Sequence, residues 1–275
     1  MSEEGGIAVI TVDFEIPIHC KYLWLRDKKA FERRMEEFSR QYRTLLEFLE
    51  EEDVSATFFV EGLLAVVKPE LVLELRSREH EIACHAFFHW PLTWMRSEAE
   101  IEQEVTRALK AIKELTADDP LGFRAPRFMV SDTVLRVLER LGFVYDSSIV
   151  PSWCPGQYRN LDKPCKPYFP IPHREMLELP VSVIRKLRIP LGLPWMNALG
   201  KRAFLTAMKL LGVSQPLVFY LHVHDVASRG LENLRSLMKF LKTQSYDFRR
   251  ALDLVKELMR SLREKGDGPE HNNGR

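Results

Sequence analysis

Cysteine is scarce in this chain: four residues (Cys20, Cys84, Cys154, Cys165) among 275, none of them in a Cys-x-x-Cys pair. That excludes a disulfide scaffold and argues against a structural zinc ribbon. Cys154 and Cys165 bracket a proline-rich loop and could pair, but two reduced thiols are the expectation. Long apolar runs are missing as well, since no stretch approaches the roughly 18 consecutive apolar residues of a membrane-spanning helix. The first residues, Met-Ser-Glu-Glu-Gly-Gly, are acidic where a secretory signal is basic, so the chain is expected to be cytoplasmic. Neither charge sign dominates. Forty Lys plus Arg stand against 39 Asp plus Glu, a net charge of +1, which excludes a strongly basic nucleic-acid binder and an acidic tail protein. Thirteen Gly and 16 Pro exclude collagen-like and low-complexity chains.

One absence is local. Residues 179–224 contain no Asp or Glu but carry Arg185, Lys186, Arg188, Lys201, Arg202 and Lys209, so this segment is +6 and the remainder, 34 cations against 39 acids, is −5. Ile189, Leu191, Leu193, Trp195 and Met196 lie within it. Two readings stand side by side: a buried crossover with a solvated helix face, or a basic, apolar lip over 185–209 that meets an anionic or lipid-carried substrate at a membrane surface.

What is present is a 45% hydrophobic chain with an alternating pattern. Residues 7–13 form a β-branched run ending in a carboxylate. Phe31, Met35, Phe38, Tyr42, Leu45 and Leu49 make a helical stripe over 28–51. Val54–Val60 reads as a strand, 63–78 as two short helical pieces, and 80–85 as a further strand. Ser97 and Glu100 form a capping box that opens a helix with Ile101, Val105, Leu109 and Ile112 on one face. A strand near 122–125 precedes a helix capped by Ser131 and stopped by Gly142, and 143–147 is again strand-like. Residues 150–174 form a long irregular loop of the kind that tends to be functional. Strands are expected at 176–183 and 216–224, helices continue to about 264, and the tail from Lys265 is expected to be disordered. Strands alternating with helices imply a mostly parallel sheet, open or closed into a barrel, in one domain over 1–264.

In such folds the polar residues at the carboxyl ends of strands line the functional face. Here those ends read Thr11-Val-Asp13-Phe-Glu15, His85-Ala-Phe-Phe-His89, Arg124-Ala-Pro126-Arg127-Phe128, Asp146-Ser147-Ser148 and Leu221-His222-Val-His224-Asp225. The four-residue gap between His85 and His89 puts both imidazoles on one side of a helical turn, although such pairs also occur as ordinary packing residues. Two histidines and a carboxylate make a catalytic zinc set. A non-haem iron triad uses the same ligand types but suits the surplus acid/base residues less well. A zincin is excluded because no Glu follows His85 in the required place.

Asp13 and Glu15, two apart, point the same way on a strand. They are either a solvated pair at a loop start or a working pair, one holding metal and the other taking a proton. His222 is either a packing residue or, paired with a carboxylate such as Asp146, a proton donor. Arg124 is either a surface cation or a brace that keeps Asp13 ionised.

These five segments, in this order, resemble the polysaccharide deacetylase family, also known as the NodB-homology domain or carbohydrate esterase family 4, and Ala56-Thr-Phe-Phe-Val60 is similar to its second strand. The resemblance covers roughly residues 7–245 and implies an α/β fold, a distorted (β/α) barrel of seven or eight mostly parallel strands. It implies Asp13 as general base, with Glu15, His85 and His89 around a divalent metal, usually zinc, with Co, Mn, Ni or Fe as alternatives. It further implies Arg124 bracing Asp13, a backbone N–H near Arg127 at the oxyanion, and Asp146 tuning His222, which protonates the departing amine.

The chain departs from the family pattern in three places. The Asp-x-Glu first motif leaves the roles of Asp13 and Glu15 open to exchange. Ala86 replaces a Ser or Thr. His222-Val-His224-Asp225 stands where this branch often has His-Pro-Trp-Glu, which leaves His224 and Asp225 as substrate-contacting or supporting residues or as the start of a loop; Trp195 is a further candidate substrate contact. The leading expectation is an N-acetyl amino sugar deacetylase. The alternatives are a deformylase or imide/ureide hydrolase on a small or lipid-linked amide, or a silent glycan-binding relative.

Overall fold

The computed structural model describes residues 5–17, 26–172 and 175–264. The β-branched run becomes β1 (Ile7–Phe14), and the later strands are β2 (Thr57–Val60), β3 (Glu81–Cys84), β4 (Gly122–Phe123), β5 (Tyr145–Asp146), β6 (Leu177–Glu178), β7 (Leu217–His222) and β8 (Asp247–Phe248). Seven of them pair in the order β7-β1-β2-β3-β4-β5-β6, every neighbour parallel, and β8 pairs with the first residues of β1 beneath β2. The sheet curls into the expected distorted (β/α) barrel. Irregular chain covers the free edge of β7, where Ser182 N donates to Val218 O at 2.9 Å and Gly192 bridges Tyr220.

Helices α1 (Lys28–Glu51), α2 (Gly62–Val67), α3 (Pro69–Ser77), α4 (Glu98–Thr116) and α5 (Asp132–Arg140) connect the first five strands, as the periodicity predicts. The stripe on α1 is buried, with Phe14 stacked on Phe38 and Tyr42 at 5.7 and 4.8 Å; burying one such ring contributes about 1.5–3 kcal/mol. The capping box at Ser97 is half formed. Ser97 Oγ accepts from Glu100 N, but the Glu100 carboxylate accepts from Arg96 N, one residue before the expected amide.

The remaining helices are α6 (Leu193–Leu199), α7 (Lys201–Leu211), α8 (Gly230–Thr243) and α9 (Ala251–Glu264). The strand expected over 176–183 is divided. Only Leu177–Glu178 joins the barrel, while Val183–Ile184 turns back antiparallel onto Ile189–Pro190. The irregular 150–174 region contains a small ribbon, Trp153–Cys154 against Tyr158–Arg159. Neither that ribbon nor β8 is visible in the sequence pattern. The tail from Lys265 and Cys20 lie outside the described residues, and Cys84, Cys154 and Cys165 are free thiols.

Strand parity places the site. On β1, Ala8, Ile10, Val12 and Phe14 face the helices, while Val9 packs inside the barrel with Phe59, Ala83, Tyr145 and Val218. Thr11 and Asp13 share Val9's parity and rise above it toward the carboxyl ends. At the opposite end the barrel is floored by buried Glu81, which accepts from Tyr145 OH (2.6 Å), Thr57 Oγ1 (2.7 Å) and the Leu252 amide at the start of α9 (2.9 Å). Gly122 makes room for this floor, since a Cβ there would lie 2.1 Å from Tyr145 Cζ.

Candidate metal centre and active site

Thr11, Asp13, Arg124, Ser147 and His222 all stand at inward parity, on or just beyond the carboxyl ends of β1, β4, β5 and β7. Arg124 is fully buried. Its Nη1 donates to Asp13 Oδ1 at 2.7 Å and Thr11 Oγ1 at 2.9 Å, its Nε to Ser147 O and its Nη2 to Ser147 Oγ, both at 3.0 Å. The guanidinium lies 4.1 Å from the centre of the Phe59 ring, the top of the interior core. A fully buried cation is tolerated because every edge of its fork has a partner. Burial alone would raise Asp13, but Arg124, His85 and His222 outweigh it and hold the carboxyl below the usual carboxylate range.

Glu15, two residues beyond Asp13, is brought to His85 and His89, with donor atoms from the three residues all within 4.8 Å of one another. Glu15 Oε2 lies 3.6 Å from His85 Nε2 and against His89 Nε2; apart from these imidazoles it has no partner among the described residues. Burial acts to raise Glu15, and the two histidines more than reverse it, so the carboxyl falls well below its ordinary value. His85 Nδ1 lies 2.7 Å from Arg124 O. A carbonyl only accepts, so Nδ1 donates to it and Nε2 is the ring nitrogen turned toward Glu15. Two imidazole nitrogens and one carboxylate oxygen, converging in a buried place with the tautomer set from behind, fit a divalent transition metal with an open position.

The pairing of the histidines does not come from a helical turn. Residues 85–89 form a loop in which Ala86 and His89 have left-handed backbones (φ 58° and 59°), so the expectation is corrected: the loop folds back instead of winding. Glu104 on the buried face of α4 holds it there, its Oε1 accepting from Phe87 N at 3.1 Å and Phe88 N at 2.6 Å. Glu104 was not anticipated, although a carboxylate beside Ile101, Val105 and Ala108 on one face is a readable signal.

A second correction concerns His222. Its partner is Asp225, not Asp146. Asp225 Oδ2 accepts His222 N at 2.7 Å and lies 3.0 Å from His222 Nδ1. A short 3₁₀ turn, Val223–Val226, brings this carboxylate back to the end of β7. Asp146 stands at the parity opposite to inward Tyr145 and Ser147 and is engaged elsewhere, with Ser148 Oγ at 2.6 Å and with Glu178. Burial raises both carboxyls of that pair, and facing Asp146 sends Glu178 well above its usual range. Burial opposes the charged form of His222, yet Asp225, Asp13 and Glu15 raise it to about 9. His222 Nε2 then looks into the site, 3.8 Å from Asp13 Oδ2.

Asp13, Glu15, His89, His222, Arg127 and Trp195 line one cavity of about 390 Å³ at the mouth of the barrel. Its wall also includes Phe128, Cys154, Gln157, Tyr158, Pro194 and Tyr220. Tyr220 is legible as a strand neighbour of His222 at the same parity, whereas Gln157 and Tyr158 arrive from irregular chain with no pattern to announce them. His224 is about half exposed and stacks on His222 at 4.9 Å between ring centres.

The polysaccharide deacetylase family model matches residues 30–145, from α1 through the first residue of β5. Over this part, somewhat under half of its length, the chain is similar to the polysaccharide deacetylases. Chitin deacetylase 1 of Cryptococcus neoformans is 31% identical over 98 residues, which is 36% of this chain and 21% of that protein. The peptidoglycan-N-acetylmuramic acid deacetylase of Bacillus subtilis is 31% identical over 100 residues, 36% of this chain and 38% of the relative. The aligned part thus spans well under half the length of these curated relatives.

Among solved structures, a Mycobacterium smegmatis protein assigned to the polysaccharide deacetylases aligns with a TM-score of 0.65 at 23% identity, over 96% of this chain and 93% of its own. A family 4 carbohydrate esterase pseudoenzyme of Bacillus anthracis aligns with a TM-score of 0.59 at 13% identity, over 92% and 66%. At these identities the likeness is one of fold, and a pseudoenzyme within the range leaves the chemistry of a deacetylase domain to its own residues.

Proposed function

We propose that the protein is a metal-dependent hydrolase that removes an N-acetyl group from an amino sugar or glycan. The observation that carries this reading is the meeting of the Glu15, His85 and His89 donors with the Asp13–Arg124 and His222–Asp225 pairs around one cavity. A zinc ion, or another divalent ion such as Co, Mn, Ni or Fe, is the group these ligands would hold; bound there it would polarise the acetamide carbonyl and make water more acidic. Arg124 occupies Asp13 Oδ1 and so leaves Oδ2 to take the proton of the attacking water. His222 Nε2, kept charged by Asp225 behind it, gives its proton to the departing amine nitrogen. The Arg127 backbone, at a left-handed φ of 59° in the cavity wall, offers its N–H to the developing oxyanion. Trp195 and His224 flank the opening and are read as substrate contacts.

We also infer one catalytic domain over residues 1–264, supported by a sheet that draws on strands from Ile7 to Phe248. A place inside the cell is inferred from the three free thiols. No helix among the described residues is long and apolar enough to cross a membrane.

Metal analysis combined with acetate release from N-acetylated oligosaccharides tests the reading. Asp13→Asn is expected to keep the metal and lose about 10²–10⁴-fold in turnover. Full activity in that variant would overturn the mechanism. Release of formate or ammonia in place of acetate would move the protein to the deformylase or imide/ureide alternative, and a metal-free protein that binds glycan without turnover would be the silent relative.

A further inference from the structure

Some exposed cations of the molecule sit against acids, such as Arg78 with Glu50 and Glu74 and Arg140 with Glu98 and Glu102, while others, such as Arg33, Arg40 and Lys239, do not. The stretch 179–224 differs in having no acid of its own and in placing large apolar side chains among four unpaired cations. Arg185, Lys186, Arg202 and Lys209 are exposed, and none has an ion pair among the described residues. Large apolar side chains stand in water beside them, with Leu187 54%, Leu199 46% and Leu210 74% exposed. The fold gathers these groups. Arg185 N donates to Gly212 O at 3.0 Å, which sets the turn 185–188 against the end of α7 that carries Lys209 and Leu210.

This face adjoins the cavity. Arg188 donates to Pro151 O at 3.3 Å and meets Cys165 Sγ at 2.6 Å, tying the turn to the loop whose Cys154, Gln157 and Tyr158 form part of the cavity wall. Helix α6 starts in that wall with Pro194 and Trp195 and ends at exposed Leu199. Two further exposed aromatics stand at the same mouth. Trp153, 59% exposed, precedes Cys154, and Trp94, 62% exposed, has the guanidinium of Arg127 5.8 Å from its ring centre.

We propose that this face seats the protein on an anionic lipid bilayer, with the four cations among the headgroups and the leucines and Trp153 in the interfacial layer, so that the cavity opens toward a membrane-borne substrate. Unpaired cations interleaved with exposed leucines and tryptophan are the pattern an anionic interface recognises. A soluble polyanion would satisfy the cations and leave the leucines in water. That the substrate is lipid-carried rests on the deacetylase reading; the docking itself does not.

Flotation with phosphatidylglycerol vesicles, against phosphatidylcholine vesicles and across a salt series, reads the docking directly. The wild-type protein is expected to float with the anionic vesicles at low salt and to be released as salt rises. Each cation removed should lower the partition coefficient about fivefold, so Lys186→Glu with Lys209→Glu should nearly abolish flotation. Leu187→Ser with Leu210→Ser should lower it roughly tenfold. No flotation on anionic vesicles, or flotation unchanged in either double variant, would overturn the proposal. Equal retention of the wild type and the leucine variant on heparin, with no vesicle binding, would assign the face to a soluble polyanion and overturn it too. Acetate release from a soluble N-acetylated oligosaccharide, run in parallel, separates the two readings. Variants that lose vesicles but keep turnover support the docking, whereas a protein that floats and releases no acetate from this substrate or from vesicles carrying an N-acetylated glycolipid overturns the deacetylase reading alone.

Discussion

Asp225 does at the end of β7 what sequence order suggested for Asp146. Both carboxylates are visible in the sequence, but the choice between them depends on which one the chain returns to the imidazole. A turn of three residues returns Asp225 to it, while Asp146, at the outward parity of β5, bonds Ser148 instead. The pH profile reads the difference. An acid that must be protonated supports turnover below its pKa, so activity should fall as pH rises past about 9. Asp225→Asn removes the neighbouring charge and should move that limb toward neutral pH, whereas Asp146→Asn should leave it in place. Glu104 acts at one further remove, through the amides of Phe87 and Phe88. Its replacement by Ala should loosen the His89 loop and lower metal affinity about 10–100-fold, measured by competition with a chelator. Asp13, Glu15, Arg124 and the two loop histidines were legible because their chemistry is concentrated at strand ends. Glu104 and Gln157 were not, because nothing in the local pattern says which buried or looped polar group faces the site.

At the scale of elements, long periodic segments were read well; of the two-residue strands, β4 and β5 lie within the expected runs, whereas β8 was not seen and the run over 176–183 was read as one strand. The helix over Lys28–Glu51 and the face of α4 follow from apolar spacing alone, since each buries one stripe. Strands such as β4, β5, β6 and β8 carry too few residues to show alternation; their pairing is set by neighbours distant in sequence. His80, between α3 and β3, ties one such junction, its Nδ1 accepting from Ala56 N at 3.1 Å. Burial, helped by the charges of Arg78 and Arg250, lowers it from 6.5 to about 4. The unfolded chain therefore binds this proton more readily than the fold does. The stabilisation is complete above about 6.5 and is lost progressively as pH falls toward about 4, on the order of 3 kcal/mol in all. A urea titration series across that window should show the loss, and His80→Asn, which keeps an acceptor but cannot be protonated there, should flatten it.

For the whole molecule, metal binding and folding should be linked, because the Glu15, His85 and His89 donors come together only when β1 and β3 pair through β2. Added zinc at about a hundred times its dissociation constant should stabilise the protein by about 2.7 kcal/mol. A thermal melt should show the rise and its reversal by chelator, and His89→Ala should show neither. The amino-acid sequence by itself determined the alternation of strands and helices, the parity that turns Asp13 and Glu15 inward together, and the local surplus of positive charge over 179–224. Those properties depend on residue type and on spacings of two to four residues, which a linear pattern records. Only the tertiary structure decided that Asp225 serves His222, that a left-handed loop and not a helical turn joins His85 to His89, and that the turn 185–188 packs against the end of α7 that carries Lys209 and Leu210. Each of these is a contact across many residues of chain, and its energy depends on burial and on what else competes for the same group, which no local pattern contains.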